Sequence, residues 1–186
     1  QGVSSAASDV YKRQILIPAF AVDRTEVILI KLKDLIDQNQ IPRIPIYVDS
    51  PMALESLHLY RKAVARKDVE IRNEFVDKNF NRDPFDTFTL NEIKSVEDSK
   101  SINEPKNSCI IISASGMATG GRVVHHLKHM LPNPLHTILL VGYQAIGTRG
   151  HALVNGAEQI KMHGQMVDVK AEISKVEGFS VHADGT

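Results

Sequence analysis

The sequence predicts an α/β fold in which a parallel β-sheet is flanked by helices. Continuous apolar runs, typical of strands covered on both faces, occur at Ile15–Phe20, Ile46–Val48, Ser108–Ala114 and Thr137–Val141. Amphipathic segments with helical spacing of apolar residues lie between these runs. Such an alternation of strands and helices is typical of a parallel sheet joined by right-handed crossovers.

The composition is that of a globular protein, with 42% apolar and 24% charged residues. No apolar segment is long enough to cross a bilayer. The 22 basic residues balance the 22 acidic ones, so any contact with nucleic acid has to be local. The single cysteine, Cys109, excludes an internal disulfide and favours a reducing cytoplasm; we expect it to be a buried core residue.

The first half of the chain contains two predicted strand–helix units. Asp23 follows the first strand as a candidate helix cap, and apolar residues recur at helical spacing over Thr25–Asn39. The second strand ends at Asp49 and Ser50, either of which can cap a helix that begins at Pro51 and continues to about Arg66. Two short helices are predicted in the polar stretch that follows, around Asp77–Asn81 and Leu90–Glu97.

In the second half, a glycine-rich turn at Ser115–Gly121 leads into a predicted helix at Arg122–Met130. Beyond Gly142, short alternating strands around Glu158–Met162 and Val167–Val176 predict antiparallel pairing and the edge of a second domain. We therefore divide the chain into a leader (1–14), which is foreign to the fold, a main domain (15–142) and part of a second domain (143–186). Both ends interrupt the pattern, so we expect a fragment of a longer protein.

Small and polar residues are concentrated where three predicted strands end, at Phe20–Arg24, Asp49–Met52 and Ser113–Met117. Ligands of open parallel sheets bind at the carboxyl ends of the strands. In the last segment, the glycine lets the backbone approach an oxyanion, and the helix that follows offers free N–H groups. A phosphate site and a purely structural turn are both consistent with this pattern.

The histidines form two groups. His125, His126 and His129 lie in one predicted helix, and the four-residue spacing of His125 and His129 could hold a metal. No glutamate lies between them as in a zincin, so we expect surface histidines on an amphipathic helix. His151 and His182 stand beside glycine or other small residues near turns, and His182 lies two residues from Asp184. A neutral imidazole at His182 could ligate zinc while an oxygen atom orients its other nitrogen.

Four segments carry a resemblance to a known family: residues 15–29 (ILIPAFAVDRTEVIL), 44–53 (IPIYVDSPMA), 112–128 (ISASGMATGGRVVHHLK) and 139–184, from LLVGYQAIGTRGHAL to GFSVHAD. In this order they resemble the β-CASP branch of the metallo-β-lactamase RNA-processing enzymes, which includes RNase J and the pre-mRNA 3′-end endonuclease. The resemblance extends from Ile15 to Asp184.

The resemblance implies a β-CASP domain followed by the return of the chain into a metallo-β-lactamase αββα fold, with the active site between the two. It implies that His182 is a ligand of a two-zinc centre and that His151 contacts the scissile phosphate or acts as general acid. A histidine at position 182, where DNA-processing branches carry valine, implies an RNA substrate. The residues expected to bind the RNA backbone are Ser115, Gly116 and Met117, with Arg24 and Ser50 as weaker candidates that a local cap or ion pair would also explain.

The chain departs from the family in one respect, since it contains no HxHxDH motif. We therefore expect zinc-dependent ribonuclease activity, endonucleolytic or 5′-exonucleolytic, of a cytoplasmic parent protein and not of this chain alone. RNA is the expected partner, a homodimer is possible and no membrane is involved. Two alternatives stay open: an inactive RNA-binding or scaffold subunit of the same family, and a mononucleotide-binding α/β domain.

Overall fold

The computed structural model describes residues 13–69, 71–79, 82–104 and 107–176. Six parallel strands form one sheet. Their bounds are Gln14–Pro18 (β1), Ile46–Val48 (β2), Leu90–Glu92 (β3), Cys109–Ser113 (β4), Thr137–Val141 (β5) and Glu172–Val176 (β8). Their order across the sheet is β3-β2-β4-β1-β5-β8. Two further strands, Gln159–Met162 (β6) and Gln165–Asp168 (β7), form an antiparallel hairpin.

Six helices lie within the described ranges. They are Arg24–Asp37 (α1), Pro51–Arg66 (α2), Asn73–Lys78 (α3), Val96–Ser101 (α4), Arg122–Met130 (α5) and Arg149–Val154 (α6). None of them combines the length and the apolar character that a membrane crossing requires. The predicted α/β fold with a parallel sheet flanked by helices is confirmed.

The sheet has a separate hydrophobic core on each face, because consecutive strand residues point to opposite sides. Leu16 of β1 and Ile111 of β4 belong to the core that α5 covers. Ile17 and Ile112, their neighbours in sequence, belong to the core that α1 and α2 cover. This burial on both faces explains the continuous apolar runs in the sequence. Cys109 is buried in the first core, as predicted, and burial raises the pKa of its thiol to about 11.

Two predictions for the first 110 residues were wrong at particular positions. Gln14, assigned to the leader, is the first residue of β1; it is buried, and its Nε2 donates a hydrogen bond of 2.6 Å to the Ile102 carbonyl. The segment Leu90–Glu97 is not one helix: Leu90–Glu92 is the parallel edge strand β3, and helix α4 begins at Val96. An edge strand with mostly exposed side chains carries no apolar run that would reveal it.

The segment beyond Gly142 also differs from the prediction. The hairpin confirms antiparallel pairing at residues 159–168, and its two-residue turn uses His163 and Gly164, both with positive φ. Residues 167–176 are not a single strand, however, because Glu172–Val176 pairs in parallel with β5 and extends the main sheet. The division of the chain at residue 142 remains a prediction.

Candidate functional site

The carboxyl ends of β1, β2 and β4 meet at one edge of the sheet and are hydrogen-bonded to one another. Past the end of β1, the Ala19 N–H donates to the Ser113 carbonyl at 3.0 Å. The Ser113 hydroxyl donates to the carbonyl of Asp49, which follows β2, at 2.8 Å. The loops after these strands therefore start from fixed positions, and the glycine-rich turn lies among them.

The turn at residues 115–121 is closed by the Ser115 hydroxyl. Its Oγ accepts hydrogen bonds from the N–H groups of Thr119 at 3.1 Å and Gly120 at 3.4 Å. The N–H groups of Gly116 and Met117, the two residues that follow Ser115, have no hydrogen-bond acceptor among the described residues. Successive unpaired backbone N–H groups favour an anion.

Close packing explains the glycine at position 116. A Cβ atom there would lie 3.0 Å from the backbone nitrogen of Phe20 and 3.1 Å from Cδ2 of its ring. Gly121, at the other end of the turn, has φ 81° and its Cβ would lie 2.8 Å from the Ala114 carbonyl oxygen. Both glycines are therefore required by the path of the backbone.

The turn is also tied to the first residues of α6. The Gln144 side-chain amide donates to the Gly116 carbonyl at 3.2 Å, and the Gly150 N–H donates to the Met117 carbonyl at 3.1 Å. Arg149 donates from one guanidinium nitrogen to the carbonyls of Ala118 and Thr119, each at 3.1 Å. A Cβ at position 150 would overlap the Gln144 amide and lie 3.2 Å from the Met117 carbonyl oxygen, so a larger residue there would displace the Gln144 side chain from the turn.

His151 follows Gly150 directly and is half-buried. The Thr148 hydroxyl caps α6 by accepting a hydrogen bond from the His151 N–H at 3.2 Å. Among the described residues, the only hydrogen-bond partner of the imidazole nitrogens is the Asn155 amide, 3.4 Å from each. The backbone of His151 is therefore fixed beside the glycine-rich turn, and its ring is only weakly held.

A buried polar network lies behind the turn, with the fully buried Asp49 carboxylate at its centre. One oxygen accepts a hydrogen bond from Arg122 at 2.6 Å, and the other accepts from His126 Nε2 at 2.6 Å and from the Ser99 hydroxyl at 2.5 Å. His126 Nδ1 is 2.7 Å from Asn103 Oδ1. The network thus connects β2 to α4 and to the first turns of α5.

The surroundings of Asp49 keep it ionised. Burial alone would raise the pKa of this carboxyl, but hydrogen bonds from His126, Ser99 and Arg122 outweigh it and lower the pKa below its ordinary value. From sequence, Asp49 was predicted as a possible helix cap within a polar strand end, and His126 as a surface histidine. The second prediction was wrong, because His126 is fully buried against Asp49. One signal was present, since His126 shares the apolar face of α5 with Val123 and Met130.

Comparison with known proteins now identifies the family. A model of the Beta-Casp domain matches residues 25–153.

The chain belongs to the β-CASP family.

Three relatives from different organisms show how much of a β-CASP protein this chain represents. Ribonuclease TTHA0252 of Thermus thermophilus is 35% identical and aligns with 91% of this chain but with only 38% of its own length. The transcription termination factor FttA of Methanosarcina mazei is 32% identical and aligns with 91% of this chain and 27% of its own length. The RNase J-like protein of Methanocaldococcus jannaschii is 33% identical and aligns with 92% of this chain and 38% of its own length. The chain therefore spans less than half the length of these β-CASP relatives.

Ser50 and Arg24, the two weaker candidates for contacts with the RNA backbone, differ in their surroundings. The Ser50 hydroxyl caps α2 by accepting from the Ala53 N–H at 3.3 Å, and Pro51 follows at the first helical position, so a local cap accounts for Ser50. Arg24, at the start of α1, is 8% exposed as a whole residue. Within the described part of the chain its guanidinium has no hydrogen-bond or ion-pair partner, and its nitrogens are not among the buried atoms left without one.

The remaining histidines do not form a metal site in the described part of the chain. No group of three or more His, Cys, Asp or Glu residues is arranged there to hold a metal ion. His182, predicted as a zinc ligand, lies outside the described residues. His125 and His129 are exposed on α5, and the ring of His125 stacks on that of His163 at 4.5 Å. The interpretation of these two as surface histidines is consistent with this placement.

We predict that Gly116→Ala destabilises the protein and Gly120→Ala does not. Hydrogen bonds from Ala19 and to the Phe20 carbonyl hold the backbone that a Cβ at position 116 would contact, whereas a Cβ at position 120 meets nothing within 4 Å. The expected loss for Gly116→Ala is about 1–3 kcal/mol in the free energy of unfolding, as for other overpacked sites. Urea denaturation measures both variants, and equal stabilities would contradict the packing argument.

We predict that Asp49→Asn lowers the free energy of unfolding by about 3 kcal/mol, because it leaves buried donors without an acceptor. Asp37→Asn is the matched control: it removes a surface ion pair with Lys33, at 3.1 Å, and should cost less than about 0.5 kcal/mol.

The effect of Asp49→Asn depends on pH in a defined direction. Because the pKa of Asp49 is lowered in the folded state, its contribution is fully present above the ordinary value of 3.8 and is lost as the pH falls through the folded-state value. Urea denaturation at pH 7 and below pH 3.8 should therefore show a smaller difference between wild type and variant at the lower pH. A difference that grows on acidification would contradict this assignment.

Proposed function

We propose that the full-length protein containing this chain is a zinc-dependent ribonuclease, and that the chain supplies an RNA-binding surface and two active-site histidines. Membership of the β-CASP family supports this proposal, as do relatives named ribonuclease TTHA0252 and RNase J-like protein. The observation that carries it is the glycine-rich turn with two unpaired N–H groups, bonded to α6 directly beside His151. RNA as substrate and the cytoplasm as compartment are part of the proposal.

The turn is suited to hold a phosphate of the RNA backbone next to the bond that is cleaved. The N–H groups of Gly116 and Met117 would donate to the phosphate oxygens, as backbone donors do in other phosphate sites. The Ser115 hydroxyl orders the turn through its bonds to Thr119 and Gly120. Binding through the backbone fixes the register of the strand without reading its sequence.

His151 is the residue of the described chain best placed to act on the neighbouring phosphate. The Gly150 N–H bonds to the Met117 carbonyl at 3.1 Å, so a phosphate on the turn lies close to the first turn of α6. An imidazole there can stabilise charge on the scissile phosphate or donate a proton to the leaving oxygen. The weak contact with Asn155, at 3.4 Å, leaves the ring free to turn toward a substrate.

The described residues do not fit a two-zinc centre, since they contain no suitable cluster of ligands. We propose that the zinc ions are held by other parts of the full-length protein together with His182. His151 is then a residue that acts on the phosphate and not a metal ligand.

Arg24 supplies an argument for an anionic ligand at the same edge of the sheet. Its guanidinium has no anionic partner among the described residues, and a phosphate would supply one through charge-assisted hydrogen bonds. The Ser50 hydroxyl is already used as a helix cap, so its contact with RNA stays a prediction with less support.

We predict that His182→Ala in the full-length protein lowers bound zinc and abolishes RNA cleavage. His151→Ala should leave bound zinc unchanged and slow turnover by about 100-fold or more, the usual contribution of a general acid or base. Metal analysis and single-turnover cleavage of a labelled oligoribonucleotide measure the two effects, with the exposed His129→Ala as control. RNA binding without zinc or cleavage in the wild type would instead indicate an inactive RNA-binding subunit.

We predict that Arg24→Gln weakens RNA binding and reduces the slope of log K against log salt by about 1, as expected for one lost phosphate contact. Arg66→Gln is the control, because Arg66 is exposed in the last turn of α2, far from the carboxyl edge of the sheet. Filter-binding titrations over a series of salt concentrations give both slopes. An unchanged slope for Arg24→Gln would remove this residue from the RNA site.

A further inference from the structure

The ring of Phe20 is exposed at the carboxyl edge of the sheet, although the strand that precedes it is buried. Phe20 is 40% exposed, whereas Ala19 before it and Ala21 after it are buried. Its backbone is held in place, because Ala19 N–H donates to the Ser113 carbonyl and the Thr25 hydroxyl donates to the Phe20 carbonyl, each at 3.0 Å. A large aromatic surface is therefore presented to solvent from a rigid position.

This ring lies directly against the glycine-rich turn. A Cβ on Gly116 would be 3.1 Å from Cδ2 of the ring, so the ring packs on the bare Cα of the glycine. The unpaired N–H group of Gly116 and the exposed aromatic surface thus belong to neighbouring atoms. A nucleotide offers a matching arrangement, with an anionic phosphate and an apolar base connected by one sugar.

We propose that Phe20 is a base-stacking platform for a nucleotide whose phosphate lies on the glycine-rich turn. This inference rests on the proposed function and adds a substrate-binding residue to it. A base can lie on the Phe20 ring only when it is unstacked from its neighbours, a state that single strands offer and an intact duplex does not.

Further exposed apolar side chains follow the ends of the strands at the same edge. They are Val22 after β1, Met52 in the first turn of α2, and Tyr143 and Ile146 after β5. With 22 basic and 22 acidic residues, the chain has no net charge that would attract RNA over a distance. Affinity for a single strand therefore depends on short-range contacts, of which base–aromatic stacking is the one that tolerates every sequence.

The test is a scan of a labelled oligoribonucleotide in which one base at a time is replaced by an abasic site, with binding to the full-length protein measured under non-cleaving conditions. In the wild type, one position should show a loss of about tenfold in affinity, the size expected for one stack. Phe20→Leu, which keeps an apolar side chain but no aromatic face, should remove that penalty, and Phe20→Tyr should retain it.

Phe88→Leu is the matched control. Phe88 is 63% exposed, but it precedes β3 at the opposite edge of the sheet, where Lys33 and Arg43 lie over its ring at 4.5 Å and 5.3 Å. The abasic penalty should be unchanged in this variant. If Phe20→Leu does not fold, a crosslinking experiment on the wild type replaces it. An oligoribonucleotide carries 5-iodouridine at the position where an abasic site lowers affinity, and Phe20 is the residue expected to crosslink to it.

The outcomes separate this proposal from the one on which it rests. A penalty that persists in Phe20→Leu, an abasic scan without any sensitive position, or crosslinks that avoid Phe20 would overturn the platform, even if the protein binds and cleaves RNA. In that case the exposed ring is better explained by a protein surface that covers it. A wild-type protein that does not bind RNA would overturn the proposed function and the platform together.

Discussion

The ionised carboxylate of Asp49 is the constraint on which the carboxyl edge of the sheet depends. Burying a charge is costly unless it is paired and fully hydrogen-bonded. Here α4 contributes Ser99, α5 contributes Arg122 and His126, and the Asp49 carbonyl accepts from Ser113 of β4. These donors satisfy the charge only if all the elements keep their relative positions. Since α5 begins directly after the glycine-rich turn, the same network fixes where that turn ends.

The fold could be predicted where burial of a strand on both faces requires a continuous apolar run in the sequence. The strands β1, β2, β4 and β5 are covered on both faces and appear as apolar runs. The two edge strands lack such an apolar run. Leu90–Glu92 is largely exposed and was predicted as helix. Glu172–Val176 has no fully buried residue and mixes polar with apolar side chains, so that its parallel pairing looks antiparallel from sequence. Gln14 was excluded because it is polar, although its amide is buried and hydrogen-bonded.

The candidate site could be predicted in part, for a related reason. Glycines that permit close approach, such as Gly116 and Gly150, are visible in the sequence together with their neighbour His151. The neighbours that these glycines approach are not visible in the sequence: Phe20 contacts Gly116 from a distant segment, and the Gln144 side chain folds onto Gly150 from the preceding loop. His126 was missed because it stands between two exposed histidines, and only the fold shows that its ring faces Asp49.

The balance of charges gives the proposed RNA surface its particular character. A protein that binds nucleic acid through a broad basic face gains affinity from released counterions and loses it in salt. This chain, with equal numbers of acidic and basic residues, has no such excess. On the proposed function, recognition by this chain falls to a few groups: two backbone N–H donors, one guanidinium without an anionic partner and one exposed aromatic ring. Groups of this kind act at short range, so their support by the Asp49 network matters more than the net charge of this chain.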